Sequence, residues 1–84
     1  MNTIARAWQA TMLALAKARE SHVRGDDPET VLDLLRQARE LIEIIEEEIN
    51  SEREKFPDPD VVRMAAAELR KRVDAAAATL IPLH

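Results

Sequence analysis

The stretch from Asp27 to Phe56, DPETVLDLLRQARELIEIIEEEINSEREKF, decides the fold. Apolar residues recur at Val31, Leu34, Leu35, Ala38, Leu41, Ile42, Ile45 and Ile49, which is the i, i+3, i+4, i+7 spacing of an amphipathic helix. Turning about 100° per residue, all eight fall within about 120° of one another. Asp33, Arg36, Arg39, Glu40, Glu43 and Glu47 occupy the other side. A helix over residues 28–55 is roughly 40 Å long, and a stripe of that length needs partners from end to end. The segments on either side have the pattern to supply them.

Punctuation places those partners. Gly25 suits the left-handed position after a helix C-terminus, so the first helix is expected over residues 3–24. Asp27 is a natural N-cap, Pro28 fits the first helical position, and Glu29 sits favourably at the positive end of the helix dipole. Phe56-Pro57-Asp58-Pro59-Asp60 repeats the grammar: Pro57 stops the second helix, Asp58 caps, and Pro59 opens a third over residues 59–80. Pro82 ends it. The third helix is expected to bury Val62, Ala66, Leu69, Val73, Ala76 and Leu80, with Arg63, Arg70, Lys71 and Asp74 in water. Loops this short make consecutive helices antiparallel neighbours. The fold expected is all-α, one domain over residues 1–84, an antiparallel up-down-up three-helix bundle.

Composition narrows the function. The 84 residues contain no Cys, one Gly and four Pro, and Trp8 and Phe56 are the only aromatics, so neither disulfides nor thiolate chemistry is available. A formal charge of −4 argues against nucleic acid as a partner, since phosphate binding calls for a basic surface. No apolar run is long enough to span a membrane, and charged or polar residues interrupt every apolar run before Gly25, so no signal peptide is expected. The balance is that of a soluble, cytosol-compatible helical protein, with no compartment specified.

The first helix is the least orthodox. One face carries Ile4, Trp8, Thr11, Leu15, Ala18 and His22, flanked by Ala5, Met12 and Val23, with Ala7, Ala10 and Ala14 adjoining. The apolar arc spans about 200°, wider than a surface helix of a bundle needs. Leu13 falls among Arg6, Gln9, Lys17 and Glu20 and is expected in water. Two readings stand. Alanine lets neighbouring helices approach closely and is the best helix former; alternatively, part of the face, around Trp8, Met12, Leu13, Ala14 and Leu15, meets another protein or another copy of the chain. Reflection through the loops brings Trp8 level with Ile42 and Val73, as a core anchor. If exposed, it becomes the hot spot of an interface. Leu13, Leu32, Ile44, Met64 and Ile81 fall off the main stripes. The same reflection brings Arg6, Arg70 and Arg72 level with Glu40 to Glu46. The acidic run Glu46, Glu47, Glu48, Glu52, Glu54 reads as a solvated face.

Residues able to carry chemistry are few. His22 and His84 are the only imidazoles and come to one end of the bundle, near Asp26, Asp27 and Glu29, so a transition-metal or ligand site is one reading. Their spacing matches no metal motif. A porphyrin would need an axial His in a roomy core, which the alanines of the first and third helices could leave. Close packing explains those alanines more simply, so no cofactor is expected, nor is a small-molecule ligand. Ser21 and His22, adjacent in a helix, point about 100° apart and form no nucleophile–base pair. There is no glycine-rich phosphate loop. Thr11 and Thr79, on or near buried faces, are expected to bond the preceding turn. No enzyme activity is expected.

Arg24-Gly25-Asp26 resembles the tripeptide signal of integrin-binding loops, although each residue also has a local reason to end one helix and begin the next. On a larger scale, the loop phrases GDDPETV and FPDPDVV, the acid-rich first turns, the single Gly and the absence of Cys resemble those of computationally designed helical bundles. Every local choice there agrees with the global fold. The resemblance covers residues 25–80. The first helix and the tail TLIPLH depart from it, and the resemblance implies that such departures are where a function or interface is placed. The function expected is a non-catalytic protein-interaction module, a designed binder or self-assembling scaffold, working through the first helix and also the third. A ligand- or metal-binding bundle using His22, and a small natural accessory or chaperone-like subunit, are the alternatives.

Overall fold

The computed structural model describes residues 3–51 and 55–80. Among them are three α-helices and no strand: α1 (Thr3–Arg24), α2 (Pro28–Ser51) and α3 (Pro59–Leu80). Lys55 and Phe56 are not helical, so α2 ends short of residue 55. The expectations about Glu52, Glu54, Ile81, Pro82 and His84 lie outside the described residues.

Both turns follow the grammar of their residues. Gly25 has φ 79°. Its N–H donates to the His22 carbonyl at 3.1 Å, and the Asp26 N–H donates to that of Ser21 at 3.0 Å, the paired bonds of a Schellman end. Asp27 Oδ1 accepts from the Glu29 N–H at 3.0 Å, and Asp58 Oδ1 from the Val61 N–H at 3.4 Å, so both N-caps are side-chain carboxylates.

α2 lies at the centre. Val31, Leu35, Ala38, Ile42, Ile45 and Ile49 are buried and Leu34 and Leu41 half-buried, the stripe its sequence spells. α3 buries Ala66, Leu69, Val73 and Ala76 and half-buries Val62 and Leu80. The core divides along the length of the molecule. One cluster joins Ile4, Ala7 and Ala14 of α1 to Ala38, Ile42, Ile45 and Ile49 of α2 and to Ala66, Leu69 and Val73 of α3. The other joins Leu15 and Ala18 to Val31, Leu35 and Ala76. Across the surface, Arg70 meets Glu46 at 2.8 Å and Arg39 meets Asp74 at 3.4 Å. Positions later in α2 thus pair with positions earlier in α3. These contacts are compatible with an up-down-up course. Arg6 and Arg72 make no such bridge among the described residues.

The molecule measures 43 × 25 × 15 Å, broader than it is thick. α1 and α3 each lie along α2 but touch one another little.

α1 departs from its expected facing. The buried line is Ile4, Ala7, Thr11, Ala14, Leu15, Ala18 and Ser21, which turns the helix toward its alanine flank. His22, expected on the core side, is exposed, and Ser21 is buried in its place. The branched residues of α2 supply the bulk at this contact, so small residues opposite them allow closer packing. Thr11 Oγ1 donates to the Ala7 carbonyl at 2.7 Å. Thr79 makes the equivalent bond to Ala75 at 2.9 Å, but from an exposed position rather than a buried face.

Candidate protein-interaction site

Turning α1 toward its alanines moves Trp8 off the central axis of the core. Trp8 packs against the larger core cluster but stays half-buried, on the flank that faces α3. Met12, one turn on, is 43% exposed. Across from them stand Ala65, Glu68, Leu69 and Arg72 of α3, and together these six residues line a cleft of about 220 Å³. Its floor is apolar and its α3 rim carries one acid and one base. The slight contact between α1 and α3 is what leaves it open.

The remaining residues expected at an interface divide. Leu13 is 56% exposed and lies on the solvent face of α1, away from the cleft. Ala14 and Leu15 are core residues, at 5% and 3%. They hold α1 to its neighbours and are not accessible while the bundle is folded. The sequence pointed to the third helix as a contact but singled out none of the four α3 wall residues for it. The signal that could have found the wall is a second seam, Val61-Ala65-Glu68-Arg72-Ala75-Thr79, beside the buried one. Val61 and Met64 add apolar surface at the start of α3, at 58% and 69% exposed.

Among the described residues, two further hollows are more polar. The larger, about 350 Å³, lies between α2 and α3 and is bordered by Glu46, Asn50 and Arg63. The second is bordered by Lys17, Glu20, Ser21, Arg24, Thr30 and Leu34. Neither contains an imidazole. Among the described residues no group of three His, Asp or Glu side chains is placed to hold a metal ion, and His84 lies outside those residues, so the His22–His84 site has no geometry here. No described helix is long and apolar enough to cross a membrane.

Arg24-Gly25-Asp26 is closed on itself. The Arg24 guanidinium donates to Asp26 Oδ2 from Nη2 at 2.8 Å and from Nε at 3.3 Å, and also pairs with Glu20 at 3.1 Å. Ser21 Oγ donates to the same Asp26 oxygen at 2.7 Å. The Ser21 hydrogen bond first, and the Arg24 contacts second, hold the Asp26 carboxyl below its usual range. Asp26 in turn raises Arg24. Cation and carboxylate bind each other rather than stand apart on a projecting loop.

No known family model, curated protein or solved structure matches the chain.

Proposed function

We propose that the chain is a non-catalytic protein-interaction module, an up-down-up bundle whose α1–α3 cleft receives a helix from a protein partner. The observation that carries this reading is the cleft itself. Trp8, Met12 and Ala65 present apolar surface that the chain leaves partly uncovered, above buried Leu69 at the floor, and an amphipathic helix laid in such a groove buries its stripe on both walls. Aromatic side chains supply most of the energy at contacts of this kind, and Trp8 is the only tryptophan. The designed-bundle reading supports the same conclusion. Residues 25–80 follow idealised rules, while Trp8 and Met12 sit in the helix that departs from them.

An interface face differs from a core face in what it contributes to folding. Measured at dilutions low enough for the chain to be monomeric, Met12→Glu and Ala65→Glu should therefore change the free energy of urea unfolding by no more than about 0.5 kcal/mol each, as surface substitutions do. A loss above roughly 2 kcal/mol, the cost of disrupting a core, would show that the chain itself closes this cleft in solution, and the reading would fall.

A further inference from the structure

The exposed flank of α3 that borders the cleft has an order of its own. Val61, Ala65, Glu68, Arg72, Ala75 and Thr79 are spaced 4, 3, 4, 3 and 4 residues apart, the alternation of a helix–helix seam. At about 100° per residue the six positions fall within about 80° of one another. Ala65 is half-buried and the other five are exposed. They lie beside the line that already packs on α2, so this is a second seam of the same helix.

The seam is symmetric about the level of Arg70. Turned end for end at that level, it sets Glu68 against Arg72, Ala65 against Ala75, and Val61 against Thr79. A stripe that is complementary to its own reversed copy is what a twofold, isologous contact requires. The alternatives fare worse. A parallel copy would set Glu68 against Glu68 and Arg72 against Arg72, and like charges opposed at a contact are unfavourable. Within the chain, Glu68 has only an exposed pairing with Lys71 at 3.6 Å, and Arg72 has no ion pair among the described residues. Alanine at the two flanking levels lets backbones come close, and the seam runs about 27 Å.

We infer that the helix received by the cleft is α3 of a second copy of this chain, packed antiparallel to its own α3 about a twofold axis at the level of Arg70, with Glu68 of each copy facing Arg72 of the other. The inference rests on the interaction reading above and names its partner. Trp8 and Met12, on the opposite wall of the cleft, then cover the incoming helix, and each copy does the same for the other.

Charge reversal tests the pairing. Molar mass is measured by light scattering from low to high micromolar for the wild type, Glu68→Arg, Arg72→Glu, their equimolar mixture, the double variant E68R/R72E, and Ala65→Arg, with circular dichroism confirming that each is folded. The wild type should dimerise. Each single reversal should weaken the dimer by about tenfold or more, since each opposes like charges twice across the twofold. The mixture should dimerise again, because the two variants complement each other at both sites, and E68R/R72E should regain a homodimer. Ala65→Arg should be monomeric. A wild type that stays monomeric at every concentration overturns the second copy as partner but leaves the cleft to a different helix. A dimer broken by Ala65→Arg yet indifferent to the charges, or one not restored by the double reversal, keeps a second copy at the cleft but overturns the antiparallel α3 pairing inferred here. A dimer indifferent to Ala65→Arg and to both reversals forms through another face, and overturns the inference while leaving the cleft to a different helix.

Discussion

Gly25 at φ 79° occupies the one backbone position in the α1–α2 turn where chirality matters. A Cβ there would meet no atom within 4 Å, so the penalty for a side chain is conformational and not steric. Gly25→Ala should lower stability by roughly 1–2 kcal/mol. D-alanine at the same position, which favours positive φ, should instead raise it by about 0.4–1 kcal/mol through the unfolded state. Denaturation of the synthetic chain checks both. Asp26 beside it gives the turn a pH dependence. Its carboxyl is held below the ordinary 3.8 in the folded chain, with Ser21 the main cause. A group depressed in this way stabilises the fold above its unfolded pKa and loses that contribution as pH falls through the lower, folded value. Ser21→Ala should therefore narrow the gap between stability at neutral pH and stability in acid. Urea midpoints measured from neutral pH to below 3.8 read it directly.

At the level of elements, the buried face of α2 was legible from its sequence and that of α1 was not, for one physical reason. The stripe of α2 is built of Ile, Leu and Val, and large branched residues leave little doubt about which side is buried. Truncating its centre, Ile42→Ala, should cost about 2–5 kcal/mol, whereas Leu13→Ala on the solvent face of α1 should stay within about 0.5 kcal/mol. In α1 the arc is wide because it is rich in alanine, and alanine is as much at home against a tight contact as in water. The facing is decided by how closely the helix approaches α2, which is a property of the pair. Hence Ser21 rather than His22 is buried, and Trp8 stands at the margin. Pairing across helices was legible only to within a turn. Arg70 does meet the acidic stretch of α2, at Glu46, and as an exposed pair it should show a coupling of about 0.2–1 kcal/mol in a double-mutant cycle.

For the whole molecule, the three helices and their bounds, apart from the C-terminal end of α2, follow from capping residues and prolines, which act locally and can be read one at a time. The cleft does not, because it depends on α1 and α3 standing apart on either side of α2, and no single segment encodes that separation. Trp8 and Met12 could be picked out as residues of interest. Their counterparts Ala65, Glu68 and Arg72 could not, since small and charged residues on a helix surface ordinarily signify only solvent. On the function proposed, the surface where Trp8 and Met12 face α3 is a docking face. As the only tryptophan, Trp8 supplies all the indole emission and stands at that face, and its emission and acrylamide quenching across a dilution series are the measurement to make. A docking face there predicts a partly accessible Trp8 in dilute solution. As concentration rises its emission should shift to the blue and its quenching fall, and Ala65→Arg should abolish the change. A Trp8 equally blue-shifted and quencher-resistant at every dilution, or one left unaltered while the chains associate, would contradict it.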